Sequence, residues 1–534
     1  MNGYHTKAPF LVLEVGHFLE RFVPVNTLIF FSPIHQFQDK QKQLTVQNVL
    51  EIIDGDESDF GEFEESDDED FLPAQDQPNV SDDNSSGEEE SNLLLNELAV
   101  PEACKRDKSV QQSRPVYRWR KKDFVAPDVE YAGLPTAPPI DIVTPLLYFQ
   151  KFIGISMIAT IAEQTNLYSV QKNGKSIDTS SKEIEQVIGM FLHMGLVRMS
   201  SIRQYWESES SYGPVSDIMS RNRFEALLFS LHFVDNMAMS EEVRQKDKLW
   251  KIRPILDNLQ QRCLAVSPSQ HCSIDEMIVP YNGKKSPIRQ YIKRKPHPWG
   301  FKICGRAGID GLLHDFDVYQ GGDGQRTELG LGADVVLKLT STLAPGKNHK
   351  VFADNVFTSL PLIAKLKERG ILYTGTVRQN RLKGCPLSDE KTLKKKGRGS
   401  FDYRVEDIHN VAAVRWYDNR AVTLLSTEAA VEPIGEAKRW DKKQKQQVTI
   451  PMPALIRNYN SYMGGIDLLD SYLAKYRFLM RSRRWYTYLF WQCIMIGVVN
   501  AWLLYRRDCQ SLELPAKEVL NRRRFQAIFA SSMT

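Results

Sequence analysis

The stretch CSIDEMIVPY, residues 272–281, mixes apolar and polar side chains with a period of two and reads as a strand that carries Asp275 in its middle. Working outward, FKICGRAG (301–308), LLHDFDVYQG (312–321), HKVFADNVF (349–357) and LYTGTVR (372–378) read as four more strands. LGADVVLKLTSTL (331–343) and LPLIAKLKERG (360–370) repeat apolar residues at helical spacing between them. Five strands with helices packed on them predict an α/β core.

Two of these strand-like runs hold an aspartate, Asp275 and Asp354, where an unpaired carboxylate costs several kcal/mol to bury unless a cation or donor compensates it. A third, Asp467, lies in NYNSYMGGIDLLD (458–470), where two glycines bend the chain into an amphipathic run and set the carboxylate at a helix start. The separations of 79 and 113 residues exclude a local metal loop, so only tertiary folding joins them. The three aspartates read as one metal site, with Asp275 and Asp354 held by different strands of one sheet.

These frames resemble the piggyBac-type transposases and the piggyBac transposable element-derived proteins descended from them. The resemblance runs from about 145 to 507 and is dense also in YIKRKPHPWGFK (291–302), YTGTVRQNR (373–381) and KKKGRGSFDYR (394–404). It implies an RNase H-like catalytic core, three aspartates holding two divalent ions, Mg2+ or Mn2+, and cut-and-paste transposition of double-stranded DNA at TTAA sites through hairpin ends. It also implies a homodimer, since two ends must be synapsed. In this reading Asp275 bridges the two ions, Asp354 serves one and Asp467 the other, with Asp470 one helical turn later as an auxiliary group. Three carboxylates suit a hard cation, and two such ions activate the nucleophile and stabilise the leaving oxygen without any protein nucleophile. Asn355 is expected on the opposite face of its strand and is not counted as a ligand. A host-adopted descendant that binds chromatin and no longer cuts DNA stays open as the alternative.

Charge supports a nucleic-acid partner. The net +3 hides an acidic run, 51–90, with 18 acidic residues and no Lys or Arg, which leaves +21 on the remainder. Residues 1–128 are expected to be disordered, since a segment such as SDDNSSGEEE cannot bury enough apolar surface to fold. A basic patch at 105–122 closes that region and reads as a nuclear-localisation or DNA-tethering segment; the acidic run offers itself to chromatin proteins. Seven cysteines without a CxxC pair point to a reducing compartment, and the nucleus is the expected location. The cysteine-rich terminal domain of many family members is not in this sequence, and a signal peptide is not expected.

The remaining expectations concern domains. Residues 129–267 repeat apolar side chains at helical spacing and form the first part of an all-α DNA-binding and dimerisation domain, completed by 477–534. The RNase H-like domain takes 268–380 and 454–476. Residues 381–453 form a small β-rich insertion domain with a hairpin at Asp418-Asn419. Trp485–Tyr505 carries no charge and is long enough to span a bilayer, but reads as a buried core helix rather than a membrane segment. Candidate DNA contacts are Lys293, Lys295, Lys302, Arg378, Lys394, Lys395, Lys396, Arg398, Arg481, Arg483 and Arg484, with Trp485 either stacking on a base or lying in the core.

Overall fold

The computed structural model describes residues 117–133, 139–283, 286–292, 297–321, 329–442, 444–478 and 480–534. The acidic run, most of the basic patch, and Lys293 and Lys295 lie outside the described residues.

One mixed sheet dominates. Its strands are β1 (Trp119–Arg120), β2 (His271–Pro280), β3 (Gln290–Tyr291), β4 (Trp299–Gly308), β5 (Leu313–Val318), β6 (Lys350–Ala353), β7 (Leu372–Thr376), β8 (Phe401–Glu406), β9 (Val411–Tyr417) and β10 (Ala421–Ser426). They hydrogen-bond in the order β1-β8-β9-β10-β7-β6-β2-β4-β3, with β5 also on β4. β6 runs parallel to β2 and to β7, whereas β2–β4, β4–β5 and β7–β10 are antiparallel. The five strands expected from the apolar pattern are β2, β4, β5, β6 and β7. A separate two-stranded ribbon, β11 (Gly435–Asp441) and β12 (Gln446–Met452), stands off the sheet.

Alternation along β2 sorts its side chains between two cores. Met277 and Val279 join the large cluster built by the helices, while Ile274 joins a second cluster under the helices Leu331–Ser341 and Leu360–Glu368. The helical layer contains Ile155–Asn173, Ser181–Leu196, Arg221–Ser230 and Arg253–Leu264, and Ser180 and Ser220 cap two of these by accepting backbone N–H groups. Through its centre runs the helix Trp485–Ser511, apolar and long enough to cross a membrane, with 94% of its most hydrophobic window buried inside the protein. It packs in one continuous core with Met277, Phe301 and Ile303 of the sheet.

Three expectations need correction. β6 ends at Ala353, so Asp354 follows the strand instead of lying within it. The hairpin at Asp418-Asn419 exists, but β8–β10 continue the main sheet through the pairing Leu424↔Thr376, so this part of 381–453 does not form a body of its own. Residues 117–128, expected to be disordered, lie along the sheet together with the five residues that follow them. Trp119 pairs with Glu406, Arg120 and Lys122 meet Asp407 at 2.8 and 2.6 Å, and Asn348 Nδ2 donates to the Glu130 carbonyl.

Candidate active site

Parallel pairing of β2 with β6 aligns Ile274 with Ala353, so the next residues, Asp275 within β2 and Asp354 just past the end of β6, stand at the same level. Past Ala353 the chain turns: Asp354 Oδ1 accepts the Val356 N–H at 2.8 Å, and the Asp354 carbonyl accepts from the Thr358 hydroxyl at 2.8 Å. Arg381 locks this turn by donating to the carbonyls of Asn355, Val356 and Thr358.

Asp467 arrives from a different direction. The helix Ala454–Tyr462 breaks at Met463-Gly464 and restarts as Gly465–Ala474, with Asp467 in the first turn. Only glycine fits at 465, because a Cβ there would stand 2.3 Å from the Gly308 carbonyl oxygen and 2.5 Å from Ser273 Oγ. Gly305, directly across from Asp275, leaves the room that Ile466 fills. The helix start therefore rests on β2 and β4, and Asp467 opens onto the end of the sheet.

The three aspartates line one cavity of about 740 Å3. Asn355, Tyr459 and Asn460 lie beside them, and Arg378 and Gln379 after β7, Arg415 on β9, Arg420 in the turn to β10 and Thr423 on β10 form another wall, with Asp389 and Glu390 also in the lining. Burial holds the Asp275 carboxyl well above its ordinary range, and the charges of Glu276, Asp354 and Asp467 add to the shift. Burial likewise raises Asp354, with Glu276 adding, against the lowering effect of the Val356 N–H, Lys302 and Arg378. Tyr459, buried beside them, has its hydroxyl pushed up by desolvation.

Neither Asp275 nor Asp354 makes an ion pair among the described residues. Half-buried carboxylates without an ion-pair partner are the donor set a hard divalent cation takes, so the residues fit such an ion in chemistry. Among the described residues, however, no three His, Cys, Asp or Glu side chains stand close enough together to hold an ion.

The other sequence candidates are dispersed. Asp470 is exposed and does not line the cavity; its charge instead acts on Arg477. Asn355, expected to face away, lines the cavity because the turn after Ala353 breaks the strand period, and its Oδ1 accepts from Arg378 Nε at 3.1 Å. Lys302 lies 3.8 Å from Glu276 on the other face of the sheet. Lys394, Lys395 and Lys396 are exposed on the helix Glu390–Lys396, whose first residue reaches the cavity. Arg398 is tied to Asp418. Arg481 and Arg483 are exposed. Arg484 is turned inward, donating to the carbonyls of Phe229 and Leu231 at 3.2 and 3.1 Å and to that of Leu228. Trp485 is half-buried against the core, its ring edge-on to Phe301. The sequence reading missed Tyr459, Asn460, Arg415 and Arg420; the first two lie in the frame already singled out around Asp467.

Comparison with known proteins agrees with this architecture. The family described as Transposase IS4 matches residues 144–502. Human PiggyBac transposable element-derived protein 3 is 34% identical over 401 residues, which is 73% of this chain and 66%, just under two thirds, of that protein. Human PiggyBac transposable element-derived protein 2 is 30% identical over 450 residues, covering 82% of this chain and 73% of that protein. Among solved structures, a piggyBac transposase in a synaptic complex with hairpin DNA superposes with a TM-score of 0.62 at 25% identity, over 74% of this chain and 82% of that one. With a family match across most of the chain and relatives this similar over most of its length, the chain belongs to the piggyBac transposase-derived family.

Proposed function

We propose that this protein binds double-stranded DNA and, with divalent metal ions, cuts and rejoins it at TTAA sites by cut-and-paste chemistry on an RNase H-like core. The observation that carries the reading is the meeting of Asp275, Asp354 and Asp467, from three elements far apart in sequence, in one cavity walled by Arg378, Arg415 and Arg420. The strand order β5-β4-β2-β6-β7, with β6 and β7 parallel to β2, supports an RNase H-like core. A relative of this fold has been solved in a synaptic complex with hairpin DNA, which supports DNA as the partner.

In this mechanism Asp275, Asp354 and Asp467 would hold two Mg2+ or Mn2+ ions. Such ions, when bound, activate a water or 3′-hydroxyl nucleophile and stabilise the leaving oxygen. The protein's own part is positioning. β2 and β6 set two carboxylates level with each other, Gly465 lets the third come close, and Arg378 draws the phosphate to the three aspartates. The same reading has the protein act in the nucleus as a homodimer that brings two DNA ends together, with the acidic run contacting chromatin proteins.

A second reading is a DNA-binding descendant that no longer cuts. Mg2+-dependent cleavage of DNA carrying candidate ends flanked by TTAA, wild type against Asp354→Ala, separates the two. Cleavage lost in the variant supports the transposase reading. Salt-sensitive binding without cleavage supports the second, and no binding at all refutes both.

A further inference from the structure

Trp440 is 59% exposed, the most exposed of the nine tryptophans, and no aromatic or cationic side chain stacks on it among the described residues. It sits on β11, opposite Gln447 of β12. From Lys438 to Lys445 the sequence KRWDKKQK sets five Lys or Arg against one Asp. Alternation turns Ala437 inward to the core and leaves Lys438 and Trp440 together on the outer face, with Lys442 and Lys445 at the ribbon's turn.

The ribbon is fastened near its turn. Asp418, 3% exposed, accepts from Arg398 Nε at 2.6 Å and from Arg439 Nε at 2.8 Å, and Arg398 also donates to the Trp440 carbonyl at 3.3 Å. Asp418 belongs to the same hairpin turn as Arg420 and Ala421, which line the acidic cavity. At its other end, β12 leads directly into the helix Ala454–Tyr462, whose Tyr459 and Asn460 line that cavity too. A bare indole among cations, on a strand pinned to the cavity rim, matches a polyanion that also offers flat apolar rings.

We propose that the β11–β12 ribbon guides a DNA strand into the cavity, with Trp440 stacked on an unpaired base and Lys438, Lys442 and Lys445 on the flanking phosphates. Base stacking on an exposed aromatic tolerates any sequence, and a base must leave the duplex stack to offer its face. This inference rests on the DNA-binding reading above and assigns part of that binding to one element.

The test uses the full chain and hairpin or branched DNA with 2-aminopurine at an unpaired position, with binding followed against salt. Trp440→Ala should weaken binding about ten-fold and abolish quenching of the 2-aminopurine, while Trp440→Phe keeps most of both. The triple variant Lys438→Gln, Lys442→Gln, Lys445→Gln should lower the salt slope by about 2–3, a change Trp440→Ala does not make. All four positions are exposed, so matched melting curves will show the variants folded. If both ribbon variants bind and quench like the wild type while Arg378→Ala weakens binding, the ribbon assignment is wrong and the DNA reading stands. If the wild type binds no DNA at low salt, both fall.

Discussion

The Asn500 carboxamide closes on both backbone groups of Leu313: Oδ1 accepts the Leu313 N–H at 3.0 Å, and Nδ2 donates to the Leu313 carbonyl at 2.9 Å. A buried polar side chain in a largely apolar helix thereby bonds the helical layer to the first residue of β5. Replacing it by leucine keeps the volume but orphans a buried donor and a buried acceptor, each costing about 1–3 kcal/mol. Asn500→Leu should therefore lower stability by about 2–5 kcal/mol, read as a lower urea midpoint at unchanged m-value. An unchanged midpoint would mean that the helix does not depend on this bond.

The carboxylates at the cavity should act after binding. Asp275→Asn, Asp354→Asn and Asp467→Asn each keep the side-chain shape and remove a hard anionic oxygen. Each should reduce metal-dependent cleavage by roughly a hundred-fold or more. None should weaken DNA binding, because removing negative charge beside a phosphate does not repel it. Gel-shift and cleavage assays on one DNA separate the two effects, and a parallel loss of binding would contradict the assignment.

Burial and neighbouring carboxylates hold Asp275 above its ordinary range, which fixes a sign for stability. The folded protein binds this proton more tightly than the unfolded chain, so metal-free stability falls as pH rises from the ordinary carboxylate range through the raised value. Asp275→Asn removes the repulsion. It should melt above the wild type near pH 7, with the gap closing below about pH 3, where the wild-type group is protonated in both states. Added Mg2+ should raise the melting temperature of the wild type more than that of the variant. Equal melting of the two metal-free proteins near pH 7 would rule out this charge as a source of strain.

Periodicity was informative where a residue's own neighbours decide its environment. Ile274, Met277 and Val279 alternate in the sequence and fall into opposite cores. The uncharged run from Trp485 to Tyr505 is the central buried helix. The three aspartates stood out because each sits in an apolar or glycine-bent frame that ordinary surface carboxylates lack. What escaped depends on distant partners. A two-residue strand such as Trp119–Arg120 has no period to detect, and its place is fixed by Glu406 and Val405. Which sheet the β9–β10 hairpin joins is decided at the edge of β7 rather than by the hairpin's own pattern. Asn355 was misplaced because alternation was carried one residue beyond the end of β6. An arginine reads the same whether it meets a phosphate, a carboxylate or a carbonyl, so Arg398 and Arg484 could not be told from surface cations.

Arg484 carries the last prediction. The helix Arg221–Ser230 ends with carbonyls that have no partner within it, and the guanidinium of a residue more than 250 positions later accommodates those of Leu228, Phe229 and Leu231. The planar fork reaches several acceptors at once, which a lysine ammonium does not reproduce. Arg484→Ala should cost about 1–3 kcal/mol in unfolding experiments, and Arg484→Lys should recover only part of it. The salt slope of DNA binding should stay the same in both, since this charge is spent inside the protein. A variant with full stability and a slope reduced by about 1 would return Arg484 to the DNA-facing surface.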